Sequence, residues 1–314
     1  HAEVAALAQL RKIPKSSTLF VTLEPCAHFG KMPPCADYLI KRGVCRVVVA
    51  CKDPNPLVSG RGIRRLRRAG VQVDVGLLSE ESNRLNRDYN YWIKSHKPYL
   101  TLKLAQSLDG KIATSTGQSK WISGPASRVL VQKLRLGTDA IIVGINTVLK
   151  DDPRLSARGG DENTNQPVKV ILDAALRTPA DARLFEKTRP TDVILVTSAR
   201  ATRRRRQLLG KQATLLELPL SRSGGFDWNK LLLELGRRGV VSALVEGGSA
   251  TAAGALKAGV VREIYWFIAP TIIGGIDGLS AVGGLGVKRL SEAVKIRRME
   301  YKKIGNDLLI HGVL

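Results

Sequence analysis

The residues with the clearest chemical potential are a histidine, a glutamate and two cysteines in the first part of the chain. His1 is followed two positions later by Glu3, and Cys26 and Cys35 lie nine positions apart. Imidazole and thiolate are ligands that zinc prefers, and one histidine with two cysteines leaves a fourth position open for water. Zinc lowers the pKa of that water, so hydroxide exists near neutral pH. We therefore predict zinc ligands at His1, Cys26 and Cys35, and a proton shuttle at Glu3.

The pattern of these residues narrows the chemistry. A His-x-Glu followed by Pro-Cys and a second cysteine is typical of zinc deaminases that act on nucleobases. His28 lies between the two cysteines. Three roles stay open for it: a further zinc ligand, a substrate contact, or no role in the site. We favour the substrate contact. Asp53 opens an Asp-Pro-Asn-Pro stretch after a predicted strand, where ligand sites of open α/β sheets gather. The same residue types are also the commonest turn formers.

The predicted elements place these residues at the ends of helices and strands. Apolar spacing predicts a helix over residues 1–12, which puts His1 and Glu3 in its first turn. A strand over 18–23 leads into the cysteine loop, and Pro34 opens a helix through residue 41 with Cys35 in its first turn. Strands over 44–51 and 71–75 with helices over 62–69 and 79–94 complete an α/β layered domain.

Composition limits the class of protein. The 314 residues suffice for two domains, and no apolar run is long enough to span a bilayer. We expect a cytoplasmic protein. Four cysteines do not make a disulfide framework, and Cys45 and Cys51 are predicted to be buried strand residues.

The formal net charge of +23 is the unusual number. Such a charge favours acidic partners, including phosphorylated small molecules. The basic residues are scattered and lack interleaved aromatics, so we expect solvated faces and neither a nucleic-acid nor a membrane partner. The run 203–206 is predicted to lie on the exposed face of a helix.

A second domain begins after Lys97-Pro98, since the residue before proline is pushed towards extended backbone. Alternation places Leu100, Leu102 and Leu104 on one face of a strand and Lys103 on the other. Further strands are predicted over 140–143, 168–172, 193–196, 241–245 and 264–268. An antiparallel pair over 295–302 and 307–312 makes the sheet mixed. A glycine turn over 246–251 favours phosphate binding weakly, and the glycine-rich stretch 273–284 is predicted to be a lid or a surface insert.

Several motifs resemble one family. HAE, TLEPCAHFGKMPPC and DPNPLVSGRG resemble the deaminase half of the bifunctional riboflavin-biosynthesis deaminase–reductase. KLAQSLDGKIAT, SKWISG, VGINTVLKDDPRL and VEGGSATAAGAL resemble its reductase half. The resemblance implies an α/β fold with a truncated cytidine-deaminase-like three-layer domain over 1–97. A dihydrofolate-reductase-like domain with a mixed sheet would follow over 98–314. The family carries a helix and two strands ahead of HAE, so we expect an impaired deaminase half.

The resemblance also implies roles for residues. The zinc ligands and the shuttle fall on the residues already predicted. The expected contacts of an NADPH cofactor are Ala105, Trp121, Thr147, Asp151 and Gly248. The expected contacts of the substrate are Ser119, Arg135, Leu155, Arg158 and Glu246. Catalytic roles are predicted for Glu3, Lys103, Asp151 and Glu246, with Lys103 and Asp151 favoured by their chemistry as proton carriers beside a hydride acceptor. Arginine suits bidentate binding of phosphate, although the residues alone favour Arg135 as an exposed helix residue.

The implied activity is zinc-dependent deamination of a diaminopyrimidinone ribosylamino 5-phosphate, followed by NADPH-dependent reduction of the ribosyl to a ribityl chain. A phosphorylated pyrimidine is the expected partner, in a homo-oligomer of unspecified size. One alternative is a monofunctional reductase with a deaminase remnant. The others are a zinc deaminase of nucleic acid and a binding protein with structural zinc. The scarcity of aromatics argues against the nucleic-acid deaminase, and Glu3 argues against the binding protein, because a closed structural site needs no shuttle.

Overall fold

The computed structural model describes residues 1–29, 33–160, 165–221, 224–284 and 286–314. Gly30, Lys31 and Met32 of the cysteine loop lie outside the described residues. The chain divides into two compact units, His1–His96 and Lys97–Leu314. No helix among the described residues is long and apolar enough to cross a membrane.

The first unit is built on three parallel strands. They lie in the order β1 (Thr18–Leu23), β2 (Arg46–Cys51) and β3 (Gln72–Val75). Its helices are α1 (Ala2–Ala8), α2 (Cys35–Lys41), α3 (Arg61–Arg68), α4 (Ser79–Leu85) and α5 (Arg87–Ser95). The core joins α1, α2 and α3 to the sheet through Leu7, Leu39, Val47, Val49 and Leu66.

Three predictions for this unit were wrong in detail. The helix predicted over 79–94 is two helices that meet at Asn86, whose side-chain amide and backbone N–H both donate to the Ser82 carbonyl, at 3.0 and 2.9 Å. The first helix ends at Ala8 rather than at residue 12. Cys45 is exposed rather than buried, because the strand begins at Arg46, two residues later than predicted, after a turn at Gly43 with a φ of 73°.

The second unit is built on a nine-stranded mixed sheet. The order is β13-β14-β11-β4-β10-β6-β7-β8-β9. The bounds are β4 (Tyr99–Gln106), β6 (Ala140–Gly144), β7 (Val168–Leu172), β8 (Val193–Thr197), β9 (Thr214–Glu217), β10 (Ser242–Glu246), β11 (Val261–Ile268), β13 (Arg298–Ile304) and β14 (Asp307–Val313). Strands from β11 to β9 run parallel, and β13 and β14 add an antiparallel hairpin at the β11 edge. The predicted α/β class with a mixed sheet is confirmed.

Helices and a small ribbon complete this unit. The helices are α6 (Pro125–Leu136), α7 (Ile145–Asp151), α8 (Arg203–Leu209), α9 (Trp228–Arg237) and α10 (Ser249–Lys257), and β5 (Lys111–Ala113) pairs with β12 (Leu279–Ser280). Leu100, Leu102 and Leu104 enter the core that contains residues of α9 and α10. Lys103 alternates with these leucines, as predicted, and therefore lies on the other face of β4.

The run of four arginines is only partly a solvated face. Arg203 and Arg204 are exposed. Arg205 donates to the Leu176 carbonyl at 2.6 Å, and Arg206 donates to the Ser198 carbonyl at 2.8 Å. These bonds hold α8 to neighbouring loops, so the prediction of an exposed run was wrong for its second half.

Candidate active sites

The structure brings the three predicted metal ligands of the first unit together. Nδ1 of His1 lies 3.0 Å from Cys35 Sγ and 3.8 Å from Cys26 Sγ, and the three ligand atoms all lie within 4.8 Å of one another. Zinc bonds of about 2.3 Å to sulfur and about 2.0 Å to nitrogen imply ligand separations of roughly 3.5–3.8 Å in a tetrahedron. The donor set and its spacing therefore fit zinc.

Each ligand is placed by the start or end of an element. His1 is the N-cap of α1, Cys35 is the first residue of α2, and Cys26 follows the end of β1. The Cys35 N–H donates to Cys26 Sγ at 3.2 Å, which joins the start of α2 to the residue after β1. Glu3 has a carboxylate oxygen 3.7 Å from Cys35 Sγ, so the predicted shuttle lies beside the ligands.

The electrostatics of this cluster favour the binding of a cation. Burial raises the pKa of the Cys35 thiol, and the nearby Glu3 carboxylate raises it further. Both effects disfavour a thiolate without a counter-charge. A divalent cation reverses that balance, because it binds the thiolate and displaces the proton.

A buried carboxylate that the sequence analysis missed supports the cysteine loop. Glu24 accepts N–H groups from Gly60 at 2.8 Å, from Ile63 at 3.1 Å and from Asp53 at 3.3 Å. These bonds tie the residue before Pro25-Cys26 to the start of α3. The one available signal was a glutamate directly before Pro-Cys at the end of a strand.

Replacing Gly62 by alanine is expected to displace α3 from this loop. A Cβ on Gly62 would lie 1.9 Å from the Pro25 carbonyl oxygen, so backbone must move. We expect the free energy of unfolding of the first unit to fall by about 1–3 kcal/mol. Denaturant unfolding followed by hydrogen exchange of β2 amides measures it. Arg61→Ala, at an exposed position of the same helix, is the control, and equal stability of the two variants would contradict the expectation.

His28 and Asp53 interact electrostatically, and both have buried polar atoms. Asp53 is buried and accepts the Tyr89 hydroxyl at 3.0 and 3.2 Å. Burial raises the pKa of Asp53, and burial with the Asp53 charge raises that of Tyr89 to about 12. Nδ1 of His28 is buried without a hydrogen-bond partner among the described residues. A ring nitrogen in that position is available to a ligand, and the substrate contact stays a prediction.

In the second unit, the predicted residues line one cavity of about 1730 Å³. Every residue predicted there for cofactor, substrate or catalysis lines it: Lys103, Ala105, Ser119, Trp121, Arg135, Thr147, Asp151, Leu155, Arg158, Glu246 and Gly248. They come from strands, helices and loops spread over more than half of the unit. The volume is large enough for a dinucleotide beside a second small molecule, since ligand pockets typically measure about 300–1,000 Å³.

A salt bridge joins Arg135 to Glu246, two of the residues that were predicted to contact the substrate. The Arg135 guanidinium donates to both oxygens of Glu246 at 2.6 Å and to the Ser156 carbonyl at 2.9 Å. The two side chains are only 16% and 10% exposed. Arg135 is therefore not the exposed helix residue that its sequence context favoured, and three of its five N–H donors are engaged. Arg158 is exposed and makes no side-chain hydrogen bond or ion pair to another described residue, which leaves its guanidinium available to an anion.

Lys103 lies next to this salt bridge. Strand register pairs Lys103 of β4 with Glu246 of β10, so both side chains emerge on the same face. Burial lowers the pKa of Lys103, the Glu246 carboxylate opposes that shift, and the Arg135 charge reinforces it. The amine has no salt bridge among the described residues. It gives up its proton more readily than an exposed lysine, which suits a proton donor.

The glycine turn after β10 provides a niche for phosphate or for a cofactor. Gly247 and Gly248 both have a φ of 80°, and α10 starts at Ser249. A Cβ on Gly248 would lie 3.2 Å from Thr251 Oγ1 and 3.4 Å from Thr147 Oγ1. Backbone N–H groups at a helix start bind phosphate, and a glycine permits close approach. The turn and the cavity in front of it therefore fit a nicotinamide dinucleotide.

The glycine-rich stretch predicted to be a lid or an insert is held in place at one end. The Asp109 carboxylate accepts the N–H groups of Ile273 at 3.0 Å and Gly274 at 2.7 Å. The Ser107 hydroxyl and these two N–H groups lower the pKa of Asp109 to about 2. Further along, Leu279 of β12 lines the cavity.

Comparison with known proteins gives matches over the whole chain. The family model described as the RibD C-terminal domain matches residues 98–310. The riboflavin biosynthesis protein RibD of Aquifex aeolicus is 42% identical over 310 residues, which cover 99% of this chain and 84% of that protein. The chain belongs to the RibD family. The family resemblance inferred from the motifs is thereby confirmed.

Solved RibD structures extend the comparison to the fold. Acinetobacter baumannii RibD superposes with a TM-score of 0.89 at 34% identity, covering 100% of this chain and 85% of that one. A Thermotoga maritima protein superposes with a TM-score of 0.76 at 33% identity, covering 94% and 79%. That protein is described as a diaminohydroxyphosphoribosylaminopyrimidine deaminase and 5-amino-6-(5-phosphoribosylamino)uracil reductase. The RibD relationship thus includes the first unit, which the C-terminal family model does not cover.

Proposed function

We propose that this chain is a bifunctional enzyme of riboflavin biosynthesis. Residues 1–97 would form a zinc-dependent deaminase and residues 98–314 an NADPH-dependent reductase. The observation that carries the proposal is the meeting of His1, Cys26 and Cys35 beside Glu3 in a chain whose second unit matches the RibD reductase domain. The description of the Thermotoga relative supports a phosphorylated diaminopyrimidine as the substrate.

In the first unit, Glu3 would move the protons of a hydrolytic deamination. Zinc, when held by His1, Cys26 and Cys35, supplies the acidity that makes water a nucleophile near neutral pH. The Glu3 carboxylate would take a proton from the attacking water and deliver it to the leaving amine, which departs as ammonia. His28 and Asp53 would orient the pyrimidine or its ribose phosphate, since one has an unpartnered ring nitrogen and the other is held rigidly by Tyr89.

In the second unit, the protein would orient the sugar and supply a proton. NADPH, when bound near Thr147, Asp151 and the turn at Gly248, supplies the hydride. The anomeric carbon gains that hydride, the bond from this carbon to the ring oxygen breaks, and the ring oxygen gains a proton to give the ribityl chain. Lys103 is the proposed proton donor, and Asp151 is a second candidate for proton transfer. Arg158 would bind the phosphate.

Arg135 was expected to contact the substrate phosphate. In the proposed function it would instead hold Glu246 through their salt bridge. A carboxylate that is bound by an arginine through two hydrogen bonds is fixed in orientation. Glu246 would then present a fixed acceptor to a substrate hydroxyl while it lies beside Lys103. Glu246 remains a proposed substrate contact, and Arg135 holds its carboxylate in place.

Two half-reactions measured on the same chain test the proposal. The chain is incubated with the diaminopyrimidinone ribosylamino 5-phosphate, and ammonia release and NADPH oxidation are followed separately. We expect ammonia release that is lost after zinc removal by a chelator and restored by added zinc. The rate of ammonia release relative to NADPH oxidation tests the separate prediction of an impaired deaminase half. NADPH oxidation should persist without zinc when the deaminated compound is supplied. NADPH oxidation without any ammonia release would favour the alternative of a monofunctional reductase, and ammonia release from nucleic acid would favour the nucleic-acid deaminase.

Glu3→Gln is expected to retain zinc and to lose deamination. Glutamine keeps the size of glutamate but cannot take a proton, and general acid–base groups contribute about 10²- to 10⁴-fold in rate. Zinc content by elemental analysis and ammonia release measure the two effects. The reductase rate with the deaminated compound serves as the internal control. A variant that kept the deamination rate would remove Glu3 from the proposed mechanism.

A further inference from the structure

Helix α1, which carries His1 and Glu3, has few contacts to hold it. It is seven residues long, and Leu7 is its one buried residue. A helix of this length is not stable by itself in water. The position of two of the proposed active-site residues therefore depends on what fixes α1 to the rest of the first unit.

The Arg42 side chain provides such a contact. Its Nη2 donates to the Leu7 carbonyl at 2.8 Å and to the Leu10 carbonyl at 2.5 Å. Arg42 is the C-cap of α2, the helix whose first residue is Cys35. Unlike α1, helix α2 is anchored well, since Cys35 and Leu39 are fully buried.

The two helices are thus joined at both ends. At their starts, His1 and Cys35 bring imidazole and thiol within 3.0 Å. At their ends, Arg42 of α2 binds the carbonyls of Leu7 and Leu10. The helices therefore run side by side in the same direction, which places like ends of their dipoles together. A guanidinium at the carbonyl end of α1 offsets that repulsion. The Leu7 carbonyl also accepts the Leu10 N–H at 3.2 Å, so Arg42 adds a second donor to it.

We propose that Arg42 is a positioning residue of the zinc site, and this inference rests on the proposed function. By fixing the carbonyl end of α1 to α2, it keeps His1 and Glu3 at the distance from Cys35 that metal binding and proton transfer need. It does not touch the metal, and it acts through the helix. Partners that orient metal ligands typically contribute about 10- to 100-fold to metal affinity.

The test compares zinc affinity in the full chain with Arg42→Ala, Arg42→Lys and the control Lys41→Ala. Lys41 is the preceding, exposed residue of α2, and it makes no hydrogen bond or ion pair to another described residue. Zinc affinity is measured by competition with a chromophoric chelator. We expect Arg42→Ala to weaken zinc binding roughly tenfold or more, Arg42→Lys to weaken it less, and Lys41→Ala to match the wild type.

Hydrogen exchange of the metal-free chain separates positioning from general destabilisation. In Arg42→Ala, the amides of residues 5–10 should exchange faster while those of β2 keep their protection. If β2 also loses protection, the comparison is made on Arg42→Lys. A folded Arg42 variant with the zinc affinity and α1 protection of Lys41→Ala overturns the inference. A wild type without zinc affinity overturns the proposed function instead, and α1 exchange in the metal-free chain still decides whether Arg42 holds the helix.

Discussion

Cys35→Ala is expected to leave the chain without stoichiometric zinc and without deamination. Cys35 is fully buried and contacts both His1 and Cys26. Its removal leaves one imidazole and one thiolate, which is one ligand short of a catalytic zinc site. Zinc per chain after dialysis, measured by elemental analysis, should fall from about one to near zero.

Cys45→Ala is the matched control for this change. Cys45 is a free, exposed cysteine of the same unit and lies outside the metal cluster. We expect this variant to keep zinc and deamination. NADPH oxidation with the deaminated compound should be unchanged in both variants, because the second unit carries its own cavity. Stoichiometric zinc in Cys35→Ala would show that the metal site lies elsewhere.

Lys103→Met is expected to lower hydride transfer by about 10²- to 10⁴-fold while cofactor affinity changes little. Methionine fills a similar volume but carries no proton. Burial lowers the pKa of Lys103 from its ordinary 10.5, so the protonated form is lost at a lower pH than for an exposed lysine. The wild-type rate should therefore fall on the alkaline side of its pH profile, and the variant should lack that limb. Single-turnover NADPH oxidation across pH measures both effects.

Lys133→Met controls for the loss of a positive charge. Lys133 is an exposed residue of α6 that does not line the cavity. We expect wild-type hydride transfer and an unchanged alkaline limb in this variant. A Lys103→Met rate within a few-fold of Lys133→Met would assign proton donation to another group, with Asp151 the next candidate.

The sequence by itself predicted the chemistry of the candidate sites and determined the type of fold. Ligand types at His1, Cys26 and Cys35 indicated zinc, and alternation in β4 separated Lys103 from its neighbouring leucines. Strands such as Thr18–Leu23 and Val168–Leu172 were predicted with their observed bounds. The strand predictions succeeded because periodicity is a local property of the chain, whereas the zinc assignment remains a prediction. The roles of the site residues remain predictions, although the structure groups them in two places.

The tertiary structure alone decided which side chains become partners. Arg135 pairs with Glu246, which lies 111 positions away, and Glu24 accepts N–H groups from the start of α3. Local sequence alone favoured an exposed helix position for Arg135, which is in fact only 16% exposed, and the prediction of Cys45 as a buried strand residue was wrong. The physical reason is that strand register brings Lys103 of β4 beside Glu246 of β10, and helix packing brings Arg135 of α6 to Glu246 and Arg42 to the end of α1. Such partners share no sequence neighbourhood, so they are determined only when the whole chain has folded.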